Sequence, residues 1–459
     1  MCFMKSLEDL VVFAKVNGFI FPGSEIYGGL ANTFDYGPLG ALLKNNIKKS
    51  WIQKFVSETS SNILLDSSIL LNSEVWRSSG HVGGFSDPLT ECKSCHERFR
   101  ADHLVAKFDS SLNTDKFSLS EMDEFIIKNH IKCPSCGKEN FAPIKKFNMM
   151  FQTYQGAVIE SANQIYLRPE TAQGIFINFK NIQRSLRKKI PFGVGQVGKA
   201  FRNEITPGNF IFRTREFEQM ELEFFCKPGT ELEWFDYHKN ICRKFLLDLG
   251  IKEENLIFRD HEKESLAFYS NATCDIEFRF PWGFDELWGI ASRTDYDLGV
   301  HQKGSGENLM YLDPDTNEKY LPYVIEPSLG VERLLLALLF SAYDTEILDN
   351  NEERTVLHLH PALSPYKVAV LPLIKKEHSE KALEIYNSLI KHFSVTYDSS
   401  ANIGKRYRRQ DAIGTYFSVT VDNDTLTNDT VTVRYRDSMK QVVVSLKDLN
   451  SFILNAISF

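Results

Sequence analysis

The sequence predicts an α+β chain with a large sheet domain, an insertion and a small C-terminal α/β domain. Residues 164–339 alternate like the strands of a mixed or antiparallel sheet, with helices between them. Two Cys-x-x-Cys pairs flank a Ser-rich excursion at residues 92–145. From about residue 357, strand and helix patterns alternate. We therefore predict a large domain over 1–345 containing an insertion at 92–145, a linker at 346–356, and a second domain at 357–459.

Composition sets limits on the class of protein. The chain has 459 residues, 43% of them hydrophobic, which is ordinary for a globular protein of two or three domains. A net charge of −7 argues against wholesale coating of nucleic acid but allows a local basic face. Glu8 and Asp9 interrupt the N-terminal apolar stretch, which predicts an amphipathic helix rather than a signal peptide. We expect a cytoplasmic protein, away from membranes, with reduced cysteines.

The remaining elements follow from local patterns. Residues 41–56 read as a helix and 63–71 as a strand, after a glycine-rich stretch. Ser118 and Glu121 have capping-box spacing and predict a short helix inside the insertion. An apolar helix is predicted over 331–340, and residues 343–354 read as polar linker. The C-terminal part predicts a buried strand at VAVLPLI and a hairpin formed by TVTVRYRD and KQVVVSL.

The most informative segment is 197–225, which reads as two strands joined by a long loop. Side chains two apart share a face of a strand. One face thus carries Arg202 and Glu204 on the first strand and Phe217, Gln219, Glu221 and Glu223 on the second, while Met220, Leu222 and Phe224 face the core. A guanidinium, a ring and carboxylates together suit a nucleoside triphosphate with a small cation. The alternative is a solvated sheet face with ion pairs, but such a face gives no reason for an aromatic ring among its charges.

A second constellation is EPSLGVER at residues 326–333, a strand running into a helix. Gly330 would let backbone approach a ligand, and Arg333 would lie in the first helical turn. Alone, this pattern is compatible with a helix start carrying a chance arginine. It gains weight when it is paired with the strand pair at 197–225.

These residues carry a family resemblance. FRNE with REFEQMELEFF resembles motif 2 of the class II aminoacyl-tRNA synthetases, and EPSLGVER resembles motif 3. Along nearly its whole length the chain resembles the bacterial dimeric glycyl-tRNA synthetases. The resemblance implies a homodimeric ligase that activates glycine with ATP and Mg²⁺ to glycyl-adenylate and transfers glycine to the 3′ end of tRNA(Gly).

The resemblance also implies site residues. Arg202 and Arg333 would be catalytic, because planar guanidinium forks bind phosphate oxygens in pairs. The ATP-binding set is Arg202, Asn203, Glu204, Phe212, Arg213, Arg215, Phe217, Glu286, Leu287, Gly330 and Arg333. Glu286 is expected to contact ATP or Mg²⁺. The glycine-binding set is Arg100, Glu170, Phe217, Gln219, Glu221, Glu326 and Ser328. Carboxylates would hold the ammonium group and leave no room for a Cβ. Because glycine has no smaller competitor, no editing domain is expected. Asp295, Asp297 and His301 receive no role.

Cys92, Cys95, Cys133 and Cys136 have zinc-ribbon spacing. Four thiolates suit a closed, structural Zn²⁺ site that would staple an insertion too small for its own core. The alternative is unmetallated cysteines, and His96 and His103 are spare ligand candidates.

A basic cluster in the C-terminal domain comprises Lys405, Arg406, Tyr407, Arg408 and Arg409. It resembles the anticodon-binding domain shared by the glycyl, histidyl, prolyl and threonyl enzymes, so these residues are expected to contact tRNA. The alternative is a solvated helix with ion pairs to Asp398 or Asp411.

The resemblance also implies a dimer interface. The helix at 41–56 and the strand at 63–71 fit the dimer-forming motif 1, although its usual proline is absent.

Two other functions compete with this interpretation. One is that of a prolyl or histidyl synthetase, which the acidic set disfavours because each of these enzymes needs a pocket for the side chain of its amino acid. The other is a non-catalytic nucleic-acid-binding homologue, like the accessory subunit of the mitochondrial DNA polymerase, which would not need Arg202, Glu204, Phe217 and Arg333.

Overall fold

The computed structural model describes residues 6–109, 111–112, 114, 117–157, 163–267, 269–348 and 351–457. The chain opens with α1 (Leu7–Val16), β1 (Ile20–Pro22), β2 (Phe34–Tyr36), α2 (Pro38–Ile52), β3 (Ile63–Leu64), α3 (Ser73–Ser78) and α4 (His81–Gly84). The insertion contributes β4 (Ser86–Glu91), β5 (Arg98–Arg100), α5 (Ala101–Phe108), α6 (Leu119–Lys128) and β6 (Lys145–Asn148).

The rest of the large domain follows in order. Its elements are β7 (Gln152–Tyr154), β8 (Gln164–Tyr166), α7 (Ala172–Ile177), α8 (Phe179–Leu186), β9 (Phe192–Phe201), β10 (Glu216–Cys226), α9 (Glu231–Asp248), β11 (Leu256–Asp260), β12 (Ala272–Phe280), β13 (Gly283–Thr294), α10 (Tyr296–Ser305), β14 (Tyr311–Leu312), β15 (Lys319–Tyr320), β16 (Tyr323–Gly330) and α11 (Val331–Ala342).

The C-terminal part begins with a hairpin. Its elements are β17 (Tyr343–Ile347), β18 (Glu353–Leu357), β19 (Val368–Pro372), α12 (Lys375–Leu389), β20 (Val395–Tyr397), α13 (Ile403–Ala412), β21 (Phe417–Val421), α14 (Asn423–Asn428), β22 (Thr430–Tyr435), β23 (Gln441–Ser445) and α15 (Leu449–Ile457). Among the described residues, no helix is long and apolar enough to cross a membrane.

A seven-stranded sheet organises the large domain, with the order β11-β12-β13-β16-β10-β9-β3. Its pairings are antiparallel except that of β3 with β9. One face packs on α2, α9 and α11; Met220, Leu222 and Phe224 of β10 lie in this core, as predicted. Helix α11 is buried nearly all round, as expected for a helix without a polar face. The opposite face of the sheet is left for polar side chains.

Several predicted boundaries differ from the structure. The helix predicted at 41–56 begins earlier, at Pro38, because proline suits the first helical position, and it ends in a π-helical turn at Gln53–Ser57. The strand predicted at 63–71 is wrong beyond Leu64; the segment pairs again only at an isolated bridge from Leu70 to Leu167. Strand β9 ends at Phe201, so Arg202 and Glu204 lie just past the strand.

The segment predicted as a linker, residues 346–356, contributes to an antiparallel hairpin of β17 and β18. Arg354 of this hairpin is fully buried and bonds Asp411 of α13 through Nε at 2.9 Å. Part of this predicted linker is therefore a hairpin that pairs one buried charge with the C-terminal domain.

The insertion forms a three-stranded sheet, β5-β4-β6, with α5 and α6 beside it. The predicted capping box at Ser118 and Glu121 starts α6. Contrary to expectation, the insertion does bury a small core of its own, formed by Ala101, Leu104, Val105, Met122, Ile126, Ile131 and Ile144.

The C-terminal domain is a five-stranded mixed sheet with the order β20-β19-β21-β22-β23. Strand β19 is parallel to β20 and β21, and the predicted hairpin of β22 with β23 is antiparallel. Valines of β19, β21 and β22 fill its core against α12 and α15. The predicted strand and helix alternation is confirmed.

Candidate active site

A cleft with a volume of about 390 Å³ opens on the polar face of the central sheet. Strands β10, β13 and β16 form its floor, and the loop between β9 and β10 forms one wall. Of the predicted ATP and glycine residues, the cleft brings together Glu170, Arg202, Glu204, Phe212, Arg213, Phe217, Gln219, Glu221, Glu286, Leu287, Glu326, Ser328, Gly330 and Arg333. Asn203, Arg215 and Arg100 are not among its lining residues.

At one end of the cleft, two arginines lie beside aromatic rings. Arg202 lies 5.4 Å from the Phe217 ring centre and donates through Nε to the Pro169 carbonyl at 3.0 Å. Arg333 lies 4.4 Å from the Phe212 ring centre and donates to the Glu286 carbonyl oxygen at 2.9 Å. These contacts hold both guanidinium groups in place among the residues that line the cleft.

The loop arginines divide into two kinds. Arg213 faces the cleft, 3.6 Å from the Glu204 carboxylate. Arg215 instead donates to the backbone carbonyls of Ala31 and Glu204, at 3.1 and 3.2 Å. Arg215 therefore ties the loop to the glycine-rich N-terminal segment. Asn203 donates its backbone N–H to the Met149 carbonyl, which ties the start of the same loop to the segment after the insertion.

Two carboxylates meet above Gly289 on the sheet. A Cβ added at Gly289 would lie 3.6 Å from Oε1 of Glu286 and 3.8 Å from Oδ1 of Asp275. Arg333, 3.1 Å from the Glu286 carboxylate, is the main reason that the pKa of Glu286 is lowered. Oxygen ligands of this kind are those that Mg²⁺ prefers. Sequence reasoning did not single out Asp275.

At the other end, Glu221 lies on the floor of the cleft, and its carboxylate accepts four hydrogen bonds from neighbouring residues. It accepts from the Thr171 backbone N–H at 3.1 Å and from the Thr171 hydroxyl. Its second oxygen accepts from Ser328 at 2.7 Å and Gln219 at 3.2 Å. Glu221 is 2% exposed, so these bonds fix its orientation.

Two further carboxylates surround Glu221. Glu170 lies 3.4 Å from His81 and accepts from Gln173 at 3.0 Å. Burial alone would raise the pKa of Glu170, but His81 and Arg293 outweigh it and lower that pKa. Burial raises the pKa of Glu326 to about 7, although Arg293 opposes this.

Arg293, which sequence reasoning missed, is the cation that holds this acidic end together. It is 5% exposed and donates to both Glu326 oxygens, at 3.1 and 2.9 Å. Asp297 receives its other N–H groups at 2.7 and 2.9 Å. The position of Arg293 in SRTDYD, four residues before Asp297, was the available signal. Asp297 thus holds the Arg293 guanidinium in place. His301 forms a hydrogen bond with Gln173 at 2.7 Å.

Arg100 lies apart from this pocket. Its guanidinium pairs with Asp87 at 3.2 Å and with Asp102, at the root of the insertion. The structure does not place Arg100 in the cleft, where it was predicted to bind glycine. Its guanidinium is paired with Asp87 and Asp102 instead.

The four predicted metal ligands form a cluster. The Sγ atoms of Cys92, Cys95, Cys133 and Cys136 all lie within 4.8 Å of one another. The Cys92–Cys136 and Cys95–Cys133 sulfurs are 3.6 Å apart, close to the edge of about 3.8 Å that a tetrahedral Zn–S₄ site with 2.3 Å bonds would have. This separation is far too long for a disulfide of about 2.05 Å. The cluster is therefore compatible with zinc. His96 pairs with Glu91 instead, and neither spare histidine joins the cluster.

The predicted RNA-binding residues lie on α13, but not all face solvent. Arg406 is 2% exposed and donates to the Pro372 and Leu373 carbonyls, so its predicted tRNA contact is wrong. Tyr407 bonds Thr420 through its hydroxyl at 2.6 Å. Arg409 pairs with Asp398 and Arg408 with Asp411 at 3.8 Å, as the alternative expected, although Arg408 remains half-exposed. Lys405 is exposed.

An antiparallel sheet with a nucleotide-sized cleft, arginines from the loop after β9 and the first turn of α11, and a separate mixed-sheet domain define a class II aminoacyl-tRNA synthetase. Residues 154–342 match the tRNA synthetase class II core domain (G, H, P, S and T), and residues 367–456 match the anticodon binding domain. The chain is 60% identical over 464 residues to the glycine–tRNA ligase of Clostridium kluyveri, covering 100% of both chains. The chain belongs to the glycine–tRNA ligase family.

Other relatives agree. The glycine–tRNA ligases of Clostridium perfringens and Geobacillus kaustophilus are 60% and 58% identical, each covering 99% of both chains. Among solved structures, prolyl-tRNA synthetase from Cryptosporidium parvum, complexed with halofuginone and AMPPNP, superposes with a TM-score of 0.62. It is 15% identical and covers 100% of this chain and 76% of that chain, so it supports the fold alone.

Proposed function

We propose that the chain is a glycine–tRNA ligase that activates glycine with ATP to glycyl-adenylate and transfers it to the 3′ end of tRNA(Gly). The observation that carries this proposal is one cleft with arginines beside aromatic rings at one end and three fixed carboxylates at the other. Such a cleft can hold a nucleotide and a small amino acid side by side.

In the activation step, the glycine carboxylate attacks the α-phosphate in line and pyrophosphate leaves. Catalysis of this kind needs positioning and charge neutralisation rather than a general base. Arg202 would contact the α-phosphate and the attacking carboxylate. Arg213 and Arg333 would hold the outer phosphates, with the adenine ring between Phe217 and the Arg333 side chain. Glu204 would accept from the adenine amino group.

Glycine selection would come from the acidic end. Glu170, Glu221 and Glu326 would surround the ammonium group, and Ser328 keeps Glu221 oriented through its 2.7 Å hydrogen bond. Because neighbours already fix all three carboxylates, no reorganisation is needed when the ammonium group enters. Glycine has no smaller competitor, so exclusion of larger side chains suffices.

Two metal ions fit the residues present. Glu286, with Asp275 beside it, offers oxygen ligands for the Mg²⁺ that accompanies ATP, and this ion would neutralise phosphate charge. Cys92, Cys95, Cys133 and Cys136 would hold a structural Zn²⁺. With four thiolates that site is closed, so its contribution is to the fold of the insertion.

The C-terminal domain would contact the anticodon of tRNA(Gly) through α13. Lys405 and the half-exposed Arg408 are the cations best placed for RNA phosphates, with Arg409 available once it leaves Asp398. Two copies would pair through the region of α2 and β3, as the family resemblance implies.

The test is ATP–pyrophosphate exchange without tRNA, screened over the twenty amino acids. We expect exchange with glycine alone, and a loss of at least a hundredfold in E221Q, which removes a charge from the pocket. E216Q, which changes an exposed glutamate paired with Lys199, is the matched control. Exchange with a different amino acid would overturn the pocket assignment. No exchange by a folded protein would favour the non-catalytic homologue.

A further inference from the structure

A fourth carboxyl group, that of Glu223, lies behind the acidic end of the cleft and has no role in the activation step. Glu223 is 0% exposed and is not among the residues that line the cleft. It lies on β10, two residues from Glu221, so both side chains share a face of the strand.

The strand register places Glu223 directly opposite Glu326. Glu221 pairs with Ser328 and Phe224 pairs with Ile325 across β10 and β16, which leaves Glu223 facing Glu326. Opposite side chains on antiparallel strands have Cβ atoms about 4.5–5.5 Å apart. Two ionised carboxylates at this distance in a buried site would repel strongly.

The neighbouring cation cannot serve both acids. Arg293 already donates to both oxygens of Glu326 and to both oxygens of Asp297. Within the described part of the chain, no donor reaches either oxygen of Glu223. A buried ionised carboxylate without a donor is very costly, whereas a protonated one can donate its own O–H.

We propose that Glu223 is a neutral carboxylic acid whose O–H donates to the Glu326 carboxylate, making Glu223 a positioning residue for the ammonium-binding carboxylate. Glu326 is then held from one side by Arg293 and from the other by Glu223. The Glu326 carboxylate then stays ionised at the wall of the cleft that it lines. This assignment rests on the proposed function in that glycine is taken as the substrate.

The charged and titratable groups facing this pair come from every neighbouring element. They are Glu326 of β16, Arg293 of β13, Glu221 of β10, Glu170 before α7 and Tyr269 before β12, with Asp297 of α10 bonded to Arg293. Burial first, and then Glu326, raise the pKa of Glu223 well above its ordinary value. Burial raises the pKa of Glu326 to about 7. Between these two pKa values the pair keeps one proton, on Glu223.

Two variants separate a neutral donor from an ionised neighbour. E223Q keeps a donor of the same length, so the KM for glycine should stay within about twofold of the wild-type value, and the acid limb of the pH profile should not move. E223M removes the donor at similar volume. Because a hydrogen bond to a charged group is lost, the KM for glycine should rise about tenfold or more, and the acid limb should shift to higher pH. The kcat and the KM for ATP should change little.

A spectroscopic readout makes the result independent of catalysis. The infrared spectrum of the full-length free enzyme at pH 8, above the pKa of Glu326, should show a carboxylic acid C=O stretch that both variants lose. E231Q is the control, since Glu231 is buried in α9 but accepts from the Gly229 N–H at 2.7 Å, and it should leave that band unchanged.

Opposite outcomes overturn the assignment. If Glu223 is ionised, both variants will shift the acid limb to lower pH, and no carboxylic acid band will disappear. If E223M fails to fold, the E223Q profile and the infrared band still decide. If no variant and no wild-type protein supports exchange with glycine, the proposed function fails, while the infrared result still tests the shared proton.

Discussion

Arg293 offers the sharpest test of how the acidic end of the cleft is held together. The substitution R293M removes a cation with 6% side-chain exposure and leaves Asp297 and Glu326 without their shared partner. Removing one partner of a buried ion pair costs about 3–5 kcal/mol, because the remaining charge stays desolvated. We therefore expect the free energy of unfolding of the large domain to fall by about that amount.

A matched control exists on the surface. Lys244 and Asp248 form an ion pair with the same i,i+4 spacing as Arg293 and Asp297, but with side-chain exposures of 62% and 34%. Exposed pairs of this kind contribute about 0.3–0.5 kcal/mol, so K244M should change stability roughly tenfold less than R293M.

The assay is guanidinium denaturation followed by tryptophan fluorescence at one protein concentration. All five tryptophans lie within residues 1–345, so the signal reports the large domain. The R293M penalty should be largest at pH 8 and should shrink towards pH 5. Burial raises the pKa of Glu326 to about 7 and Arg293 opposes this rise, so R293M leaves an ionised Glu326 without its cation at pH 8. As the pH falls through about 7, Glu326 takes up a proton and this part of the penalty is lost. Equal shifts for R293M and K244M would refute the reasoning.

Two other predictions concern packing and metal. A Cβ at Gly40 of α2 would lie 1.9 Å from the backbone carbonyl oxygen of Phe19, so G40A should destabilise the protein by about 1–3 kcal/mol despite better helix propensity, measured by denaturation. Gly404 of α13 is the control, since its nearest contact is 3.6 Å away, and G404A should be neutral or stabilising. For zinc, C133S should lower the metal content from about one ion per chain towards zero, measured by atomic emission. C242S should leave zinc content unchanged, and a C133S protein with full zinc and normal stability would contradict the assignment.

Local pattern predicted the site better than it predicted the elements that carry it. The alternation in REFEQMELEFF placed Phe217, Gln219 and Glu221 on the cleft side, because a strand has only two faces. The same pattern could not show that β9 ends at Phe201, since strand ends depend on pairing partners far along the chain. Nor could it show that β3 stops at Leu64.

Buried charges were the main class of residue that sequence reasoning missed or misplaced. Arg293, Arg354 and Arg406 look in sequence like any surface arginine, yet each is at most 5% exposed. Whether such a side chain turns inward depends on carboxylates or carbonyls brought near by distant elements. The basic run at α13 illustrates this, because Arg406 serves the carbonyls of Pro372 and Leu373 while its neighbour Lys405 faces solvent.

The buried arginine of the hairpin ties the end of the large domain to the C-terminal domain. Strand β17 continues directly from α11, the helix that begins beside Arg333, and Arg354 on β18 is locked to Asp411 and to the Arg436 carbonyl. Moving the C-terminal domain away from the hairpin would leave the buried Arg354 charge without Asp411, at a cost of several kcal/mol. This buried charge pairing therefore opposes separation of the hairpin from the C-terminal domain.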